Sequence, residues 1–76
     1  MARAYLRVWL ASGHEDAVRE GLLGIKGVSA ADLTAGDQDL IAVVDAETYE
    51  DVVQIVLGQV RVLKGVEKTI TSLAVN

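Results

Sequence analysis

Between residues 4 and 11 the chain alternates. Leu6, Val8 and Leu10 fall on one side of an extended segment and Tyr5, Arg7 and Trp9 on the other, the two-residue period of a strand. Ser12-Gly13 interrupts it. Ser12 is a candidate helix cap, and Glu15 and Asp16 fall where the positive end of a helix dipole favours acids. From 14 to 26 the period changes, with Ala17, Val18, Leu22 and Ile25 at helical spacing and Gly24 and Gly27 as stop signals. Residues 28–34 read as a weaker strand, and Ala35-Gly36-Asp37-Gln38 reads as a hairpin connection. Residues 39–44 form a nearly continuous apolar strand. A second helix is predicted over 48–63, with Val53, Val56, Val60 and Leu63 along one side. Lys64-Gly65 ends it, and a last strand covers 66–75.

The predicted order is strand, helix, strand, strand, helix, strand. This is the ferredoxin-like βαββαβ arrangement, an α+β fold in which two helices cover one face of an antiparallel four-stranded sheet. The two halves repeat loosely, since each helix closes on a similar phrase, Ile25-Lys26-Gly27-Val28 and Leu63-Lys64-Gly65-Val66. Residues 1–76 read as a single domain.

The third strand is apolar on both faces, through Leu40, Ala42 and Val44 on one and Ile41 and Val43 on the other. A solvated sheet face normally alternates towards polar residues, and Tyr5 and Trp9 also sit opposite the helix-facing set. Tyr5, Trp9, Ile41 and Val43 are therefore the expected dimer interface, with a second subunit covering the open face. Ile55, Leu57 and Val62 lie outside the core stripe of the second helix, spare apolar surface that suits higher assembly.

Size and composition sharpen this expectation. A 76-residue chain buries only about 60–65% of the surface its unfolded form exposes, and such domains usually draw on disulfides, metals or partner subunits. With no cysteine, disulfides and thiolate metal sites are excluded, which leaves self-association. The N-terminus lacks the apolar core of a signal peptide, and no apolar run approaches the roughly 20 residues that span a bilayer. A soluble, cytoplasmic protein is expected. Seven basic and eleven acidic residues give a formal charge of −4. The cations are spread along the chain, a poor basis for neutralising phosphates, so no direct nucleic-acid binding is expected.

Several pieces together carry a resemblance. The helix end Gly27-Val28, the loop Gly36-Asp37-Gln38-Asp39-Leu40, the second Gly65-Val66 and the Thr-rich last strand with Thr69, Thr71 and Ser72 follow one another at a spacing that resembles the effector-binding domain of Lrp/AsnC transcription regulators. This domain is also called the regulation-of-amino-acid-metabolism domain. The resemblance covers essentially the whole chain. It implies a domain that dimerises through its sheet and assembles into an octamer or a decamer-like ring. It also implies that a small effector, usually an amino acid, binds where dimers meet, with the loop between the second and third strands contributing. On this basis Gly36, Asp37, Gln38, Asp39, Thr69, Thr71 and Ser72 are the expected effector-binding residues. The sequence begins at the first strand of that domain, with no helix-turn-helix, so it looks like the stand-alone form. A full-length Lrp/AsnC regulator is then a candidate partner.

Each candidate also has a plainer reading. Asp37 or Asp39 could hold an ammonium group, free backbone N–H groups of the loop could hold a carboxylate, and Gly36 could let the backbone approach a ligand. A hairpin turn alone also needs Gly and Asp. Thr69, Thr71 and Ser72 are ordinary strand residues. Gln38 stands where the family often has an aromatic or apolar residue, which leaves the effector open. His14, the single histidine, reads as a solvated surface residue, since a metal site needs several converging ligands. No catalytic residue, metal or cofactor is expected. Three other functions share the topology: an ACT-like regulatory domain, a small dimeric α+β-barrel enzyme, and a purely structural oligomer.

Overall fold

The computed structural model describes residues 1–75; Asn76, the last residue of the expected domain, lies outside the described residues. The elements follow the predicted order: β1 (Ala2–Leu10), α1 (Glu15–Leu23), β2 (Val28–Leu33), β3 (Leu40–Ala46), α2 (Tyr49–Ile55) running into a π-helical turn (Val56–Val60), and β4 (Val66–Leu73). The four strands form one antiparallel sheet in the order β2-β3-β1-β4. The fold is ferredoxin-like.

The core sits between sheet and helices. Leu6, Val8 and Leu10 of β1 and Leu40, Ala42 and Val44 of β3 are buried against Val18 and Leu22 of α1 and Val52, Val56 and Val60 of the second helix. The alternation read along residues 4–11 therefore separates the covered face from the open one, and the strand extends back to Ala2.

The second helix departs from the expected pattern. Its buried stripe runs through Val52, one α-turn before Val56, and Val53 is 41% exposed; the ladder then slips from α to π at Val56. A regular α-helix through residue 63 assumes an unbroken 3.6-residue period; the π turn inserts one residue into that period and changes which side chains face the sheet. Ile55 packs against the core, and Leu57 and Val62 are exposed. Ala17, predicted on the inner stripe of α1, is exposed. Ser12 does not cap α1: the N-cap is His14, with no side-chain cap bond, and Gly13 N–H donates to Glu15 Oε2 instead. Thr48 does cap α2, its hydroxyl accepting from Asp51 N–H at 3.1 Å.

The internal repeat is structural. Gly27 and Gly65 both take left-handed φ, +104° and +101°. Their carbonyls accept matching bonds, Gly27 from Asp45 N–H at 2.7 Å and Gly65 from Ala11 N–H at 2.8 Å. Each also lies under a side chain from the other half. A Cβ at Gly27 would come within 2.8 Å of Ile55, and one at Gly65 within 2.5 Å of His14. His14 is thus half-buried against Gly65 rather than a free surface residue, because the repeat places the start of α1 over the end of the second helix.

Candidate functional site

The open face of the sheet carries the odd-numbered residues of β1 and their cross-strand partners. Tyr5 pairs with Val43 and Ser72, Arg7 with Ile41 and Ile70, and Trp9 with Lys68. Tyr5, Trp9, Ile41 and Val43, expected as an interface, thus share one face, which neither helix covers.

Most charges on this face are neutralised within it. Arg3 forms a two-pronged bond to Asp45, Nε to Oδ1 at 2.7 Å and Nη2 to Oδ2 at 3.1 Å. The irregularity between Val28 and Ala30 in the β2–β3 ladder lets Ser29 Oγ donate to Asp45 Oδ2 at 2.9 Å. These bonds, from Arg3 first and Ser29 after it, hold the Asp45 carboxyl below its ordinary value and raise the Arg3 guanidinium further. Trp9 lies between two cations, with Arg7 Cζ 5.1 Å and Lys68 Nζ 4.8 Å from its ring centroid.

The 34–39 loop is built onto β1 beyond the point where β3 begins. The ladder's last pair is Val8 with Leu40, and Asp39 satisfies the next groups of β1. Its amide donates to the Val8 carbonyl at 3.0 Å, and its Oδ2 accepts from Leu10 N–H at 2.8 Å. Arg7 reaches the loop through Nε to Gln38 Oε1 at 3.1 Å and Nη2 to Asp37 Oδ2 at 3.0 Å. The Trp9 indole N–H donates to the Asp37 carbonyl at 2.9 Å. Thr34 closes the loop: its backbone N–H donates to the Asp39 carbonyl, its hydroxyl donates to the Gln38 carbonyl, and the Gln38 side-chain Nε2 donates to that hydroxyl. Among the described residues, the amides of Gly36, Asp37 and Gln38 and the Oδ1 atoms of Asp37 and Asp39 have no partner. Gly36 has open space beside it.

Thr69 and Thr71 lie elsewhere. They pair with Val8 and Leu6 and so face the helix layer. With Val53, Val56, Leu57 and Arg61 they line a groove of about 550 Å³ at the β4 edge. Ser72 pairs with Tyr5 on the open face. A single chain therefore gathers Gly36, Asp37, Gln38 and Asp39 in one loop, Thr69 and Thr71 in a separate groove, and Ser72 on neither. Sequence reasoning missed Arg7. Its signal was an arginine beside a tryptophan on the face that should have been apolar, and the residues it joins are about 30 positions away. Among the described residues no group of His, Asp or Glu converges as a metal site, and no helix is long and apolar enough to cross a membrane.

A four-stranded sheet with two helices on one face and a loop fastened at the end of its central strands make a small ferredoxin-like domain. The sequence profile of the Lrp/AsnC ligand binding domain matches residues 3–76, and the chain belongs to that family. Among solved structures it is similar to a hypothetical protein, PHS023, from Pyrococcus horikoshii, at 30% identity and TM-score 0.93 over 100% of this chain and 92% of that one. It is also similar to FFRP-DM1, at 31% identity and TM-score 0.93 over 99% and 100% of the two chains. The fold recurs in the transcriptional regulator NMB0573 of Neisseria meningitidis, solved as a complex with L-Met, at 16% identity and TM-score 0.83 over 99% of this chain and 50% of that one. No curated protein matches the chain.

Proposed function

We propose that the protein is an amino-acid-responsive assembly module. It dimerises through the open sheet face and binds a small zwitterion at the 36–39 loop where dimers meet. The observation that carries the ligand half is the set of unpartnered groups on that loop. Three neighbouring amides suit a carboxylate, and the Oδ1 atoms of Asp37 and Asp39 suit an ammonium. An α-amino acid presents both. Thr69 and Thr71, in their groove under the second helix, would join the site from a neighbouring copy. The methionine bound by the Neisseria meningitidis regulator is the kind of ligand this chemistry suits.

The assembly half rests on what burying the open face would strand. Arg3 is paired with Asp45 and Arg7 with Asp37, so burial leaves few uncompensated charges. Lys68 on β4 and Asp32 on β2 stand outside these pairs, with opposite signs on opposite edges of the sheet. Two such faces related by a twofold axis along the strands would bring each edge towards the other's complement. A second copy of the chain is therefore the occupant that the face fits. Ligand binding between dimers would then act by population shift, favouring the assembly that completes the pocket. Output would pass to a partner, with a full-length regulator of the same family the leading candidate for mixed assemblies. The match to a regulator's ligand binding domain supports regulation over catalysis, and a cytoplasmic setting fits a module of this kind.

The test is a thermal-shift screen of the twenty amino acids at millimolar concentration, with solution mass measured for each hit. A ligand at about 100 times its dissociation constant stabilises by roughly 2.7 kcal/mol, several degrees in a domain of this size. An unmoved melting curve for all twenty would remove the amino-acid reading.

A further inference from the structure

The loop that carries the unpartnered groups and the face that a second copy would cover meet in the same two side chains. Arg7 and Trp9 each do two things. On the open face they are half-buried, with Arg7 and Lys68 both over the Trp9 ring. At the end of β1 they hold the loop, Arg7 by Gln38 and Asp37 and Trp9 by the Asp37 carbonyl. Together they hold Asp37 and Gln38, two of the loop residues whose amides are free.

We infer that Arg7 and Trp9 are positioning residues that make the conformation of the 36–39 loop depend on whether a second copy of the chain covers the open face. The inference rests on the proposed function for the loop's role and adds its regulation. Uncovered, the indole and guanidinium are partly solvated, and water competes for the donors that hold Asp37 and Gln38. A hydrogen bond strengthens when water is excluded, because the local dielectric falls. Covering the face fixes the Trp9 ring, shields the Arg7–Asp37 pair and so orders the loop's free amides. Dimer formation thereby prepares the loop, and a ligand that needs the ordered loop favours the dimer in turn, by linkage. The face reaches the loop through two side chains and one strand end, with no movement of the helices.

The chain has one tryptophan, so its emission reports this site alone. The experiment follows hydrogen exchange by NMR at the amides of Leu10, Thr34 and Asp39, the donors that fasten the loop, without any amino acid present. The wild type is compared with Trp9→Phe, which keeps an aromatic ring but lacks the indole N–H, and with Arg7→Gln. Solution mass and melting midpoint are recorded alongside. The expected result, at a concentration well above that at which the dimer dissociates, is exchange at these three amides roughly fivefold faster in Trp9→Phe, the loss of about one hydrogen bond. Diluting the wild type through its dissociation should produce the same acceleration together with a red shift of Trp9 emission. Should Trp9→Phe not fold, Arg7→Gln tests the same coupling through the other pair of bonds, to Asp37 and Gln38. Unchanged exchange in the folded variants, unchanged exchange on dilution through dissociation, or a wild-type monomer at every concentration would each overturn the inference. A thermal-shift screen without hits, alongside the expected exchange pattern, would instead remove the amino-acid reading and leave this coupling standing.

Discussion

The two faces of the sheet are made from the same strands by opposite means. The covered face is apolar: Leu6, Val8, Leu40, Ala42 and Val44 have no exposed surface, and among the described residues no polar or charged side chain is buried. The open face mixes Tyr5, Trp9, Ile41, Val43 and Ile70 with Arg3, Arg7, Asp45 and Lys68, and most of its ionic groups are paired within the chain. The first face needs nothing further, because burial of apolar surface drives it together and no charge is desolvated. The second could be buried at modest cost or left solvated at modest cost. A face of that kind suits an association that must form and dissociate, and in this chain the loop with unpartnered polar groups hangs from it.

The contrast predicts different failures on the two faces. Leu6→Ala on the covered face should cost about 2–5 kcal/mol through lost burial and a residual cavity, visible as a large fall in the denaturation midpoint. If it costs no more than a surface change, the covered face is not the core. Trp9→Glu on the open face should separate the subunits, since it replaces a large apolar ring with a carboxylate that must be desolvated even beside Arg7 and Lys68. The far-ultraviolet circular dichroism of the separated chain should remain that of the fold, and loss of the fold itself would erase the distinction between the faces. Asp39→Ala should have a smaller effect, about 1–2 kcal/mol, because it leaves Leu10 N–H without its acceptor; denaturant titration reads it. The smallest effect belongs to the exposed Arg3–Asp45 pair. Asp45 ionises below its ordinary range in the folded chain, so the pair's stabilisation is complete at neutral pH and is lost as pH falls through that lowered value. Asp45→Asn should flatten this acid limb in melting midpoints measured from neutrality to about pH 2, and an unchanged limb would show that the pair contributes nothing measurable.

Much of the architecture was legible in the sequence because hydrophobic period and glycine placement are local signals. Leu6, Val8 and Leu10 declared the covered face, and the repeated Lys-Gly-Val phrase declared two equivalent helix ends. What escaped were features that depend on groups distant in sequence. Val52 and Val53 both lie within one α-turn of Val56, so only packing against the sheet decides that Val52 faces inward, and the π turn at Val56 has no counterpart in a regular period. His14 looked solvated because its contact, Gly65, lies in the other half. Arg7 looked like one of several scattered cations until the sheet brought it to Asp37 and Gln38. Thr69, Thr71 and Ser72 were grouped by the family resemblance, and strand alternation sends Ser72 to the opposite face from the two threonines.

The central claim, that a second copy of the chain covers the open face, is tested most directly by the solution mass of the purified protein over a micromolar concentration series, by light scattering or sedimentation equilibrium. The account predicts a species of at least twice the 8.1 kDa chain mass in the wild type, and a folded species of chain mass in Trp9→Glu under the same conditions. A wild type of chain mass throughout the series, or a Trp9→Glu variant whose assembly is unaltered, would contradict it.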